Sequence, residues 1–380
     1  MSPLRYPCTG NVSSFGFGAF LEGNVAGPRA NIQRFGVELS STFSTEHLTL
    51  VNSGSSANLA AALALAEATG PGAHAIAAGF TFPTTLSALA MSGFRVTLAD
   101  TGPGGFVIDP AAVRRALRPD TRLLCVTHFL GYPAPMDALR PIVEEHGLLV
   151  LQDACETMGL TLHGVPIESS GTLATWSFYH PHHLSSYGGG AVVSPDAAWR
   201  QRVESIVHWG RACTCHYDPA RCPTPPGIGH NFHYVRGGIN VEMSELNACF
   251  GRFQLRRWHE DEAQRQRNAA ILRDTLEGCP GVQVFPLPPE GQSPFVFPFS
   301  PTRMPLLDFT ARLAARGVET RNLMGSAMAD QPGFASMDHD GLAECRGISA
   351  RTCFVGVHQT LPQEDVRAVA AIIREEAQRT

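Results

Sequence analysis

The chain has 380 residues, 44% of them hydrophobic, and a formal net charge of −5. That length accommodates one large α/β domain and a smaller one, with enough apolar residues for a substantial core. A slightly acidic chain without a block of basic residues lacks the electrostatic footprint of a nucleic-acid or anionic-membrane binder, so small-molecule chemistry is the expectation.

The opening MSPLRYPCTG lacks a charged-then-apolar leader, and no run of about 18 apolar residues suggests a membrane span. A cytoplasmic enzyme is expected. From Thr49 to about Val193 short apolar runs alternate with helical stretches: LTLVNS, SANLAAALALAEA, AHAIAAG, PTTLSALAMSG, FRVTLAD, AAVRRALR, RLLCVTHF and LLVLQDA. That rhythm predicts a mostly parallel sheet covered by helices on both faces. Polar groups after the strand ends, namely Ser53 to Asn58, His128 and Asp153, are then expected to converge on one sheet edge, where such folds bind ligands.

A loop rich in Cys, Pro, Gly and His spans 211–238 and precedes one long helical pattern from about Glu242 through Leu276. Beyond Cys279 the pattern predicts a smaller α/β domain. The chain thus divides into a large cofactor-binding domain with its cysteine-containing loop, 1–250, and a long connecting helix with a small C-terminal domain, 251–380.

Two stretches suggest a cofactor pocket. NSGSSANLAA places small residues at a turn opening a helix, where backbone N–H groups and the helix dipole favour an anion such as phosphate. Asp153 closes the apolar run LLVLQD and sets a carboxylate at the sheet edge, suited to keeping a pyridinium nitrogen protonated. A small-residue turn and a strand-end Asp are each more often structural when alone.

Together with GFTFPTT and SFYHPHHLSSYGGGAVV, they follow the order of a fold-type I pyridoxal-phosphate enzyme of the aspartate aminotransferase type. The chain resembles the DegT/DnrJ/EryC1/StrS aminotransferase family over nearly its whole length. Further matching stretches are EGNVAGPRANIQRFGVEL, VTHFLGYPAPMDALRPIVEEHGLLVLQDACETMG, GGINVEMSELNACFGRFQL and RGVETRNLMGSAMADQPGF. The resemblance implies that Ser55, Ser56, Ala57 and Ser177 hold the cofactor phosphate and that Asp153 pairs with the ring nitrogen. It also implies that Phe82 stacks on the ring and that Glu156 stands where Gln or His usually touches the ring hydroxyl. Asn240 matches an asparagine that reaches the phosphate of a neighbouring subunit, which implies a homodimer.

The family's anchoring lysine falls five residues after Ser177, at His182, and no lysine occurs from Ser177 to Val193. Imidazole forms no stable Schiff base but moves protons near neutral pH. The same exchange marks a branch of the family, the 3-dehydratases of nucleotide-linked 4-keto-6-deoxyhexoses, which use untethered pyridoxamine phosphate (PMP) with the histidine as catalytic base.

Ten cysteines in a chain without secretory signals point to packing, metal ligation or redox work rather than disulfides. Cys155, Cys213, Cys215 and Cys222 have the spacing C-x57-C-x1-C-x6-C. It resembles the [2Fe–2S] motif of the iron–sulfur sub-branch, the CDP-4-keto-6-deoxyglucose 3-dehydrase type, in which the last spacer is one residue longer. Four thiolates are the usual complement of such a cluster. A zinc knuckle or unligated thiols are the alternatives, and Cys8, Cys125, Cys249, Cys279, Cys345 and Cys353 are expected to pack in apolar surroundings. The resemblance implies a nucleotide-sugar substrate, loss of its C3 hydroxyl, and an NAD(P)H-dependent flavin or iron–sulfur reductase as partner. Gly188 replaces the glutamate of the family's GEGG, which leaves the sugar open. A cluster-free, glutamate-dependent dehydratase and a non-catalytic descendant that binds cofactor or nucleotide sugar are the competing readings.

Overall fold

The computed structural model describes residues 5–9, 13–24, 29–213, 215, 229, 232–286 and 294–379. The strands in chain order are β1 (His47–Val51), β2 (His74–Ala78), β3 (Arg95–Ala99), β4 (Thr121–Thr127), β5 (Leu149–Asp153), β6 (Thr161–Leu162) and β7 (Val165–Pro166). They continue with β8 (Leu173–Ser177), β9 (Gly190–Ser194), β10 (Val282–Val284), β11 (Val296–Pro301), β12 (Arg321–Asn322), β13 (Asp338–His339) and β14 (Cys353–Gly356).

Eight strands form one sheet in the order β1-β9-β8-β5-β4-β2-β3-β13. β9 pairs antiparallel with both β1 and β8, and the other pairings are parallel. The run Leu123 to Val126 in β4 and the whole of β2 are buried, because helices cover both faces and leave no solvated side to alternate toward. The helix Gly54–Thr69 carries alanine at positions 57, 60, 61, 62 and 64, all without solvent exposure, which lets it lie close against the sheet.

A second, antiparallel sheet has the order β10-β11-β14-β12. Phe297, Phe299 and Val355 pack there against Leu272 and Leu276 of one helix and Val366, Ala370 and Ile373 of another. Tyr6 joins the same core and pairs in a bridge with Val318.

Three sequence expectations change. The single helix expected over Glu242–Leu276 is two, Glu245–Leu255 and Trp258–Leu276. Trp258, the first residue of the second helix, is buried edge-on against Phe43 at 4.9 Å. β13 returns from the C-terminal third of the chain to extend the large sheet beside β3, a tie that a two-residue strand does not signal in sequence. His128 does not reach the ligand edge: its Nδ1 accepts from Ala134 N–H at 2.9 Å and its Nε2 bonds Gln152 at 3.1 Å, with the ring wholly buried.

Candidate active site

The site is built where the parallel strands end. Ser53 caps the helix Gly54–Thr69: its hydroxyl accepts from Ser56 N–H at 3.0 Å and its carbonyl from Ala57 N–H at 3.0 Å. Among the described residues no acceptor meets the Gly54 and Ser55 amides, and these are the orphan donors that a helix N-terminus offers an anion. Of the three helix-start residues expected at the phosphate, Ser55 brings an open amide, whereas the Ser56 and Ala57 amides are engaged in the cap. Gly54 was not singled out in sequence. A Cβ there would stand 2.7 Å from Ser177 Cβ, 2.9 Å from its hydroxyl and 3.2 Å from Cys155 Sγ, so this turn is a cradle that only a hydrogen leaves open.

Asp153 ends β5 with its carboxylate oriented by three donors. Thr85 Oγ1 donates at 2.6 Å, Asn58 Nδ2 at 3.0 Å and the Cys155 N–H at 3.2 Å. Thr175 of β8 in turn donates to Asn58 Oδ1 at 2.6 Å. Those partners leave lone pairs on the carboxylate for one further donor. Phe82, which precedes the helix Pro83–Met91, exposes 48% of its surface at the same edge, and Ser55 and Thr84 join across 2.9 Å. A phosphate cradle, an oriented carboxylate and an uncovered aromatic face make a donor set that fits a phosphorylated pyridine.

Glu156 is buried, and one carboxylate oxygen accepts from Leu130 N–H at 2.6 Å. Burial, with the charge of Asp153 adding to it, pushes its carboxyl up to about 8 despite that hydrogen bond, so it is mostly protonated at neutral pH. Leu130 sits in the left-handed region at φ 56° to aim its amide there.

His182 is half-buried. Its Nδ1 lies 2.7 Å from the carbonyl oxygen of Cys155, and since a carbonyl only accepts, Nδ1 carries the proton and Nε2 is the free lone pair. The ring lies against Phe295, with centroids 5.2 Å apart. Burial lowers its pKa to about 4 against the smaller opposing effects of the Cys155 carbonyl and Asp153, so the imidazole is neutral through the physiological range. His183, its neighbour, is buried.

Sequence inspection of the loop alone missed a broader fact. All 29 Lys or Arg residues are arginines, and the chain contains no lysine. No side chain anywhere in the protein offers an amine to tether a cofactor.

The cysteines are less well gathered. Cys155 Sγ lies by Gly54 and 3.9 Å from the Thr175 carbonyl, and burial together with Asp153 raises its thiol pKa well above the usual range. Cys213 and Cys215 lie beyond the helix Ala197–Val207, with the Cys215 N–H donating to Cys213 Sγ at 3.3 Å. Cys222 lies outside the described residues. Among the described residues no three His, Cys, Asp or Glu side chains stand where they could hold a metal ion, so Cys155, Cys213 and Cys215 do not themselves form the expected cluster site. The six cysteines expected in apolar packing are all buried free thiols. Asn240 is exposed and bridges His208. No helix of the described residues is long and apolar enough to cross a membrane.

A sequence profile of the DegT/DnrJ/EryC1/StrS aminotransferase family matches residues 19–374. The chain is 30% identical to a dTDP-4-dehydro-2,6-dideoxy-D-glucose 3-dehydratase of Saccharopolyspora spinosa, covering 91% of this chain and 80% of that protein. It is 27% identical to the lipopolysaccharide biosynthesis protein RfbH of Salmonella typhimurium, covering 94% and 87%. Among solved structures, the E. coli GDP-4-keto-6-deoxy-D-mannose-3-dehydratase with bound hydrated PLP superposes with a TM-score of 0.88 at 20% identity, covering 98% of this chain and all of that one. The architecture is that of the fold-type I PLP-dependent enzymes.

Proposed function

The chain belongs to the DegT/DnrJ/EryC1/StrS aminotransferase family, and from that premise we propose that it is a PMP-dependent 3-dehydratase of a nucleotide-linked 4-keto-6-deoxy sugar or a related polyol ketone. One observation carries the reading: the anchor position is His182, held in the cleft with Nε2 free, in a chain that has no lysine. Transamination through a covalently anchored cofactor needs an amine at that place. Proton transfer with an untethered one needs only a base. The likeness to a named sugar 3-dehydratase over most of both chains supports the same conclusion.

The cofactor, when bound, supplies an amine for a ketone and a ring that takes up electrons. The remaining work falls to this chain. The Gly54 and Ser55 amides and the Ser177 hydroxyl bind the phosphate, and Phe82 covers one face of the ring. Asp153, fixed by Thr85 and Asn58, holds a proton on the ring nitrogen. Glu156 lies within the same cleft and offers a protonated carboxyl to the ring oxygen. With cofactor and sugar bound, His182 Nε2 would be the group that accepts the proton from the cofactor's C4′ carbon, and the chemistry supplied there would be loss of the hydroxyl next to the sugar's ketone carbon. Asn240, exposed, completes the phosphate site of a second copy in a homodimer.

The finer reading is that Cys155, Cys213, Cys215 and Cys222 bind a [2Fe–2S] cluster fed by an NAD(P)H-dependent reductase, which makes the overall reaction a deoxygenation. The spacing of the four and the place of Cys155 beside the cleft support it. Anaerobically purified protein, analysed for iron, acid-labile sulfide and visible absorbance and then assayed with a nucleotide 4-keto-6-deoxy sugar, tests both levels. Iron and sulfide with loss of the C3 hydroxyl are expected. Turnover with glutamate and neither iron nor sulfide replaces the finer reading with the cluster-free dehydratase. Ligand binding without any product overturns the enzyme assignment.

A further inference from the structure

Arg265, on the helix Trp258–Leu276, is only 2% exposed. Its Nη2 donates to the carbonyl of His182 at 3.2 Å, and its Nη1 to the carbonyl of Phe295 at 3.5 Å. Among the described residues no carboxylate lies within ion-pair distance; the nearest acid by its effect, Asp261, pairs with Arg257 at 3.5 Å. A buried guanidinium without a counter-ion costs stability, and an apolar side chain of similar length would avoid that cost. What only the guanidinium provides is a planar fork of donors able to join two carbonyls at once. Those two carbonyls belong to the peptide that carries the imidazole and to the residue whose ring forms its wall.

We propose that Arg265 is the positioning residue for His182, fastening the His182 and Phe295 main chains to the long helix so that the imidazole keeps one tautomer and one orientation toward the cleft. The proposal rests on His182 being the proton acceptor. The ring is thereby held on three sides: Nδ1 on Cys155, its face on Phe295, its carbonyl on Arg265.

The test compares Arg265→Met and Arg265→Lys with the unaltered protein. Long-range proton–nitrogen spectra of the His182 ring, assigned by their loss in His182→Asn, report its tautomer without cofactor or substrate. In Arg265→Met the second tautomer should appear. C4′ proton exchange in the PMP-loaded protein should fall by roughly tenfold or more, as misplacement of a reacting group does. Arg265→Lys keeps the charge but not the fork, so the second tautomer and part of the rate loss should persist. A folded Arg265→Met with the original tautomer overturns the proposal, as does a rate loss that merely follows the thermal midpoint in both variants. Should the methionine variant fail to fold, a lysine variant with one tautomer and full exchange overturns it equally. Survival of exchange in His182→Asn would instead remove the base assignment, while the ring spectra still decide whether Arg265 holds His182.

Discussion

His182 Nδ1 donates to the main-chain carbonyl of Cys155 across 2.7 Å, so the proposed base is oriented by the backbone of a cysteine and not by its thiol. Cys155→Ser should therefore leave C4′ proton exchange nearly intact. His182→Asn should slow it by about 10²- to 10⁴-fold, the usual worth of a positioned general base. Solvent deuterium incorporation at C4′ of PMP, measured on both variants, checks the pair; a Cys155→Ser loss as deep as that of His182→Asn counts against this arrangement.

Because the protein has no lysine, His182→Lys would introduce its sole side-chain amine. Borohydride treatment with pyridoxal phosphate should then attach the cofactor at residue 182, and peptide mass analysis should find it nowhere else among the side chains. Failure to trap with cofactor in excess would place residue 182 outside the cleft.

Gly54→Ala would drive a Cβ against Ser177 and Cys155 at the cradle. Overpacking of this kind costs about 1–3 kcal/mol, and the displaced Ser177 hydroxyl should weaken PMP retention roughly tenfold, a loss equivalent to about one charge-assisted hydrogen bond. Gly36→Ala, in the helix Ala30–Phe43 where a Cβ meets nothing within 4 Å, serves as the control and should stabilise slightly. Equilibrium dialysis of the cofactor against both variants separates the two effects.

Stability should peak near neutrality. Burial lowers His74, His128, His182 and His358 from 6.5 to about 4. It raises Glu156 and Glu168 from 4.5 to about 8 and about 7. Between about pH 4.5 and 6.5 the unfolded chain binds more protons at the four histidines than the folded protein keeps at the two carboxyls, so stability rises with pH. Above about 6.5 the histidine contribution is complete, and stability falls as pH passes the raised carboxyl values. Thermal midpoints of the apoprotein should be highest near pH 6.5, by the same linkage, and Glu156→Gln with Glu168→Gln should flatten the alkaline decline. A continued rise beyond about pH 8 contradicts this balance.

The linear chain by itself determined the order of strands and helices, because short apolar runs bounded by turns report burial element by element. It also placed Asp153 at a strand end, opened a helix within NSGSSANLAA and put His182 where an amine is expected, since each depends on residues within a few positions. Contacts between distant segments were decided only by the tertiary structure. Asn58 meets Asp153 across 95 residues, and Arg265 meets the His182 carbonyl across 83. Asn58 was expected at the ligand edge but its partner was not, and Arg265 has no local signature: an arginine in a polar helix reads as a surface residue until the packing shows what covers it. The same holds for His128, whose place after a strand suggested the ligand edge until Gln152 and Ala134 claimed both ring nitrogens. Side-chain periodicity encodes which face of an element is buried, whereas the partner that buries it is chosen by the folded arrangement of all the others.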